Sequence, residues 1–313
     1  MTEWTLGKRL ARWHTRAEPY RDGTCEEGQP MTQGTEIPIE TITLRGGAGA
    51  LAGWEINPPL DTPNLGTVVL VPGFTGSKED FEFMLPLLAA AGYRAVAYDQ
   101  RGQWQSEGPD DIAGYTMADF VDDLRGVVDQ VSPDAPVHLV GHSFGGYVSR
   151  VSVVDEPARF RSLTLLASGP SSVEDIKFSP PQLVAQVVES AGQDFLWQQM
   201  SAAMDAAGQT PSPERAEFLR DRLVQTKKAN ILGILKCMET PPLADPATLR
   251  DAGVPLLVAY GDTNDLWDPE VHENFARQLH ARTAVYPGIG HVPNEDVPAQ
   301  VTADLVNFWK EPA

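Results

Sequence analysis

The residues best suited to chemistry form one short string, Gly141-His142-Ser143-Phe144-Gly145-Gly146, set between the apolar run 136–140 and a stretch with helical patterning. In that context a G-x-S-x-G string predicts a sharp strand-to-helix turn with the serine at its apex. Glycines at 141 and 145 let neighbouring backbone approach closely while the serine is held in a strained conformation. The turn should present the Ser143 hydroxyl above the sheet, accessible, at the positive end of the following helix. A serine hydroxyl is a weak nucleophile at neutral pH. It needs a base to take its proton and a carboxylate to hold that base in the right tautomer.

Six histidines are available. His14 lies in an N-terminal arm, His138 within a strand, His142 beside the serine and directed elsewhere, and His272 and His280 on a predicted helix. Only His291 follows a strand end directly, in Tyr286-Pro287-Gly288-Ile289-Gly290-His291, where small residues leave its ring free to reach across; it is the candidate base. For the carboxylate, the loop Gly261-Asp262-Thr263-Asn264-Asp265-Leu266-Trp267-Asp268-Pro269 offers three aspartates. Asp268 stands at a helix start, where capping explains it most simply. Asp262, at the strand end, is suited to stabilising the turn. Asp265, in mid-loop, is the favoured acid, with its two neighbours kept as alternatives. The N–H of Phe144 is a natural donor to an oxyanion formed at Ser143.

The elements that must position these residues read as βαβ units. Buried strands are predicted at 67–71, 93–98, 137–140, 163–167, 255–260 and 283–286, with two earlier extended runs, 38–44 and 51–56, forming an antiparallel edge. Helices are predicted at 78–90, with Ser77 and Asp80 as a capping box, and at 117–131, 270–280 and 297–309. This is an α/β protein with a mostly parallel eight-stranded sheet and helices on both faces. Residues 170–248 carry four or so helical segments with no strand, read as an inserted all-helical cap between core segments 38–169 and 249–313. Residues 1–37 form an extension in which Trp4, Leu6, Leu10 and Trp13 could share one face of a short basic helix folded back on the domain.

Composition narrows the partners. The 313 residues carry a formal net charge of −19, which repels nucleic acid and anionic membranes. Cys25 and Cys237 match no metal or redox spacing. No signal peptide or membrane-length apolar run is visible, so a cytoplasmic location, a small-molecule substrate and no metal are expected. Oligomeric state is left open, a homodimer being compatible.

The order Ser143, Asp265, His291 resembles the α/β-hydrolase fold superfamily, in its serine-nucleophile, carboxylesterase- and lipase-like branch with a helical cap. The resemblance covers residue 38 to the C-terminus. Strict family spacing places Asn264 at the acid position, whereas distance to Pro269 favours Asp265. The resemblance also implies a second oxyanion donor, the N–H of Phe74 in Val71-Pro72-Gly73-Phe74-Thr75-Gly76, with Pro72 where relatives commonly have histidine. Asp99-Gln100-Arg101-Gly102 looks like a family signature of structural purpose. Trp104 stands where many relatives have a small residue, and with Trp197 and Trp267 it is a candidate wall of an apolar substrate pocket. Phe195, Met200 and Met204 in the cap are weaker candidates. What the resemblance implies is a cofactor-free hydrolase of a carboxylic ester, lactone or thioester. Carbon–carbon bond hydrolysis, perhydrolysis, amide cleavage and ligand binding without catalysis are the alternatives. Serine at 143 disfavours the branches with an aspartate nucleophile.

Overall fold

The structure, a computed structural model, describes residues 37–170, 179–206, 210–239, 245–263 and 266–311. An antiparallel pair, β1 (Glu40–Gly46) and β2 (Gly49–Ile56), starts the sheet. It continues through β3 (Gly66–Val71), β4 (Tyr93–Tyr98), β5 (Val137–His142), β6 (Phe160–Leu166), β7 (Leu256–Gly261) and β8 (Arg282–Tyr286), in the order β1-β2-β4-β3-β5-β6-β7-β8. β2 meets β4 antiparallel and every later pairing is parallel. Strands β3 to β7 are mostly apolar and buried because both faces are covered. Side chains alternate: Val69 and Val71 enter one core, with Tyr98, Leu139 and Leu165, while Val68 and Leu70 enter the other, with Ala97, Val140 and Leu166.

Helix α1 (Met84–Ala90) and, after the short α9 (Pro293–Asp296), α10 (Pro298–Lys310) cover the second face; α2 (Met117–Val131), α3 (Phe144–Asp155) and α8 (Pro269–Leu279) cover the first. The chain goes from β3 to β4 on one side and returns to β5 on the other. The carboxyl ends of β3 and β5 therefore flank the crevice where an open α/β sheet places its ligand.

Between β6 and β7 no strand occurs among the described residues. The segment folds as α4 (Pro181–Ala206), bent at Gly192, then α5 (Pro213–Gln225), α6 (Lys228–Glu239) and α7 (Pro246–Asp251). It is fastened to the loop after β4. The Lys227 N–H donates to Gly102 O (2.8 Å), Asn230 Nδ2 to Arg101 O (2.7 Å), and the Trp104 N–H to Thr226 Oγ1 (3.0 Å).

One predicted element changes. The helix expected at 78–90 splits into a 3₁₀ turn, Lys78–Phe81, and α1. The reason is Pro86, which cannot donate to Glu82 and whose ring would strike that carbonyl in a continuous helix. Restarting at Met84 places Pro86 in a first turn, where no N–H is needed. The capping box of Ser77 and Asp80 forms as expected. The N-terminal extension and Cys25 lie outside the described residues. Cys237 is buried and unpaired by disulfide, its thiol pushed up to about 11 by burial. No helix among the described residues is long and apolar enough to cross a membrane.

Candidate active site

Ser143 joins β5 to α3 at φ 51° and ψ −118°, a backbone conformation costing on the order of 1–3 kcal/mol. Its N–H donates to Leu166 O (3.0 Å), which pins the turn to β6. The turn closes because two glycines leave room. A Cβ on Gly141 would lie 2.6 Å from Gly145 O, and one on Gly145 would lie 2.6 Å from Pro72 O and nearer still to Val71 O. The loop after β3 thus rests directly on the turn. A Cβ on Gly73 would sit 3.0 Å from the Ser143 Cβ. An accessible hydroxyl was expected here, but the residue is only 2% exposed. The elbow's backbone geometry is present with the residue buried.

His291 is equally enclosed, at 1% exposed. Its loop is held to the loop after β7 by one side-chain and one backbone acceptor: the Gly288 N–H donates to Asp262 Oδ1 (2.7 Å) and the Thr263 N–H to Ile289 O (3.0 Å). Asp262 accordingly stabilises the turn, as its position suggested. Asp268 occupies the N-cap of α8 ahead of Pro269. Asp265, the favoured acid, lies outside the described residues. The tertiary structure adds a role for His142, read from sequence as directed elsewhere. Its Nε2–H donates to the backbone carbonyl of His291 (2.8 Å), and the two rings lie 5.1 Å apart.

Phe144 is the first residue of α3, buried at the helix N-terminus, and Phe74 is buried in the loop after β3. That loop is bracketed from behind by Gln100 Nε2, donating to Pro72 O (2.9 Å), and Gln103 Nε2, donating to Gly73 O (2.8 Å). Trp267 stacks over Gly169, with its ring 6.4 Å from that of His291. Trp104 packs edge-on against Phe218 of α5 (5.9 Å) and holds its indole N–H buried without an acceptor. Trp197 is buried in the apolar interior with Leu196, Met200 and Met204, and no described contact links it to Ser143 or His291. The Asp99 to Gly102 turn is structural: Arg101 forks onto Asp123 (2.6 and 2.8 Å), and Asp99 accepts the Lys78 N–H (2.8 Å) and Nζ (3.0 Å). Burial pushes the Asp99 carboxyl up, to about 6, against the pull of Lys78.

A second cluster gave no sequence signal, because its members are spread over more than 200 residues. Arg222 of α5, 1% exposed, donates to Asp80 Oδ1 (2.5 Å) and to Ser77 Oγ (3.2 Å). Asn294 Nδ2, three residues beyond His291, donates to Asp80 O (2.7 Å), and Arg215 pairs with Glu295. Burial pushes Glu295 up, to about 7, opposed by Arg215. The insertion, the loop after β3 and the histidine loop therefore converge on Asp80.

These features agree with the comparisons. A mycobacterial protein named "Probable oxidoreductase EphD", from Mycobacterium tuberculosis, is 41% identical over 114 residues. That match covers 35% of this chain and 18% of the relative, so it spans under a fifth of the relative's length. The proline iminopeptidase of Lactobacillus delbrueckii subsp. bulgaricus is 29% identical over 252 residues, covering 72% of this chain and 83% of the relative. A malate-bound thermophilic esterase from Thermogutta terrifontis shares the fold at a TM-score of 0.69 and 23% identity, over 86% of this chain and 97% of that one. The family model for the alpha/beta hydrolase fold matches residues 66–298, and on that match, with the sheet order and the turn at Ser143, the chain belongs to the α/β-hydrolase fold family.

Proposed function

We propose that this hydrolase cleaves a carboxylic ester, lactone or thioester with a small apolar acyl group, using Ser143 as nucleophile, His291 as base and Asp265 as the acid that orients it. The observation that carries this reading is the strained elbow at Ser143, with Gly73 against its Cβ and the His291 loop braced from His142. His291 takes the hydroxyl proton as Ser143 Oγ bonds to the acyl carbon. The N–H groups of Phe74 and Phe144 hold the resulting oxyanion. The carbon–oxygen bond to the alcohol breaks as His291 returns the proton to the leaving oxygen. Water, deprotonated by His291, then attacks the acyl carbon, the bond to Ser143 Oγ breaks as His291 returns the proton to that oxygen, and the acid leaves. Trp267, its ring 6.4 Å from that of His291, together with Trp104 would wall the acyl site in this reading, which favours an apolar substrate.

Replacement of Ser143 by Ala tests the reading. Turnover of p-nitrophenyl butyrate is expected to fall by about a thousandfold or more, and fluorophosphonate labelling is expected to vanish. Turnover near the parental rate would defeat it. The likeness to a proline iminopeptidase favours amide cleavage by the same residues as a second reading. Faster cleavage of prolyl-p-nitroanilide than of the ester would select it.

A further inference from the structure

We infer that Gln103 is a positioning residue for the oxyanion site: its side-chain amide fixes the orientation of the peptide between Gly73 and Phe74, and thereby the direction of the Phe74 N–H. The inference rests on the serine-hydrolase reading above and assigns a residue that reading does not use.

The geometry begins with the peptide unit. Gly73 O and the Phe74 N–H belong to one planar group, and no peptide among the described residues is cis, so the two point in opposite directions. Whatever holds the carbonyl also aims the N–H. Gly73 O accepts from Gln103 Nε2 (2.8 Å) and from the Gly76 N–H (3.2 Å), which occupies both lone pairs. The amide of Gln103 cannot turn over, because its Oε1 accepts the Gln100 N–H (3.0 Å) at the other end. With both ends engaged and no exposed surface, the side chain is a rigid strut from the turn after β4 to the loop after β3. The strut meets a loop that carries Thr75 at φ 57° and glycines at 73 and 76.

The neighbouring glutamine provides an internal contrast. Gln100 Nε2 holds Pro72 O (2.9 Å), one peptide earlier, and that peptide carries the Gly73 N–H rather than the Phe74 N–H. Both glutamines are buried to the same degree and each makes one such bond. A purely structural role predicts that both substitutions act through stability, Gln103→Met the more because it also loses the bond from the Gln100 N–H, with no selective effect on the chemical step. A role in aiming the oxyanion donor predicts that only Gln103 matters to the chemical step, since preorganised donors act on charge that develops in the transition state.

The experiment compares Gln103→Met and Gln103→Glu with Gln100→Met in the full chain, using p-nitrophenyl butyrate turnover, inhibition by an aliphatic trifluoromethyl ketone, and thermal melting. Methionine keeps the volume without a donor; glutamate places a carboxylate against Gly73 O. For Gln103→Met, kcat is expected to fall about tenfold to a hundredfold with KM changed less than about threefold, and affinity for the ketone, whose hemiketal oxyanion mimics the transition state, to fall in proportion. Gln103→Glu should be at least as impaired. Gln100→Met should melt lower yet keep kcat within about threefold. Equal loss of kcat in the two methionine variants would overturn the inference, as would a Gln103→Met protein with parental kcat and ketone affinity. Should Gln103→Met fail to fold, the Gln103→Glu and Gln100→Met pair decides on the same criteria. If the parent neither turns over the ester nor labels at Ser143, the hydrolase reading fails and this inference with it. If the parent does both and Gln103 proves silent, only the inference falls.

Discussion

The imidazole of His142 donates from Nε2 to the main-chain carbonyl of His291, 149 residues away, at 2.8 Å. The residue before the nucleophile thus braces the backbone of the proposed base. The carbonyl is buried, so losing its donor should cost about 1–3 kcal/mol and loosen the ring of His291. His142→Leu is expected to lower kcat for p-nitrophenyl butyrate by about tenfold and to lower the melting temperature. His142→Gln, which can still donate, should recover part of both. An unchanged kcat in His142→Leu would show that the loop after β8 holds its shape unaided.

The link from the insertion to the core is a buried ion pair, and removing one partner strands the other. Arg222→Met should destabilise by about 3–5 kcal/mol by leaving the Asp80 carboxylate without its cation. The double variant Arg222→Met with Asp80→Asn should be less destabilised than the sum of the singles, because the stranded charge is gone. Urea unfolding of all four proteins measures the coupling, and strict additivity would contradict the buried pairing.

The glycines of the chain are not equivalent. Gly145→Ala places a methyl group on the carbonyls of Val71 and Pro72, which are backbone and cannot swing aside. Gly192 has φ 81° and ψ 179°, a region essentially reserved for glycine, but open space around it, so Gly192→Ala incurs only the conformational cost, on the order of 1–3 kcal/mol. Gly145→Ala should lower stability more than Gly192→Ala, as read by chemical denaturation, and should abolish fluorophosphonate labelling.

The acid can be separated from its neighbours. Asp265→Asn is expected to reduce kcat by about 10³ to 10⁴, by analogy with the loss of tautomer control in serine triads, with little change in melting. Asp262→Ala removes the acceptor of the Gly288 N–H and should cost about 1 kcal/mol of stability. A large loss of kcat in Asp262→Ala with none in Asp265→Asn would reverse the assignment.

Acid sensitivity should trace in part to His138. Burial, with Arg161 nearby, pushes its imidazole down to about 3 from an ordinary 6.5. Between those values the unfolded chain binds a proton that the native state does not. Stability from this group is therefore complete above about pH 6.5, falls as the pH drops toward 3, and levels off below; the full effect is on the order of a few kcal/mol. His138→Phe keeps the stack on Trp309 (4.5 Å) without a titrating ring. Its melting temperature should decline less between pH 6 and pH 4 than the parent's, whereas parallel curves would remove His138 from the account.

Much of the design is local and could be read directly. The runs of β3 to β7 are mostly apolar because helices cover both faces, and that pattern is written residue by residue. The elbow at Ser143 is legible for the same reason: its glycines and strand-turn-helix patterning are consecutive in the chain. Pro86 shows a local rule missed, since its conflict with a helix from 78 to 90 was present in the sequence. What tertiary structure alone decided are relationships between residues far apart. Periodicity carries no sign that Gln103 meets Gly73, that His142 reaches His291, or that Arg222, Asn294 and Ser77 meet at Asp80. Hydrogen bonds and ion pairs of this kind depend on where the sheet order and the insertion deliver each side chain. A sequence specifies which groups it owns; only the folded path brings a donor within 3 Å of its acceptor.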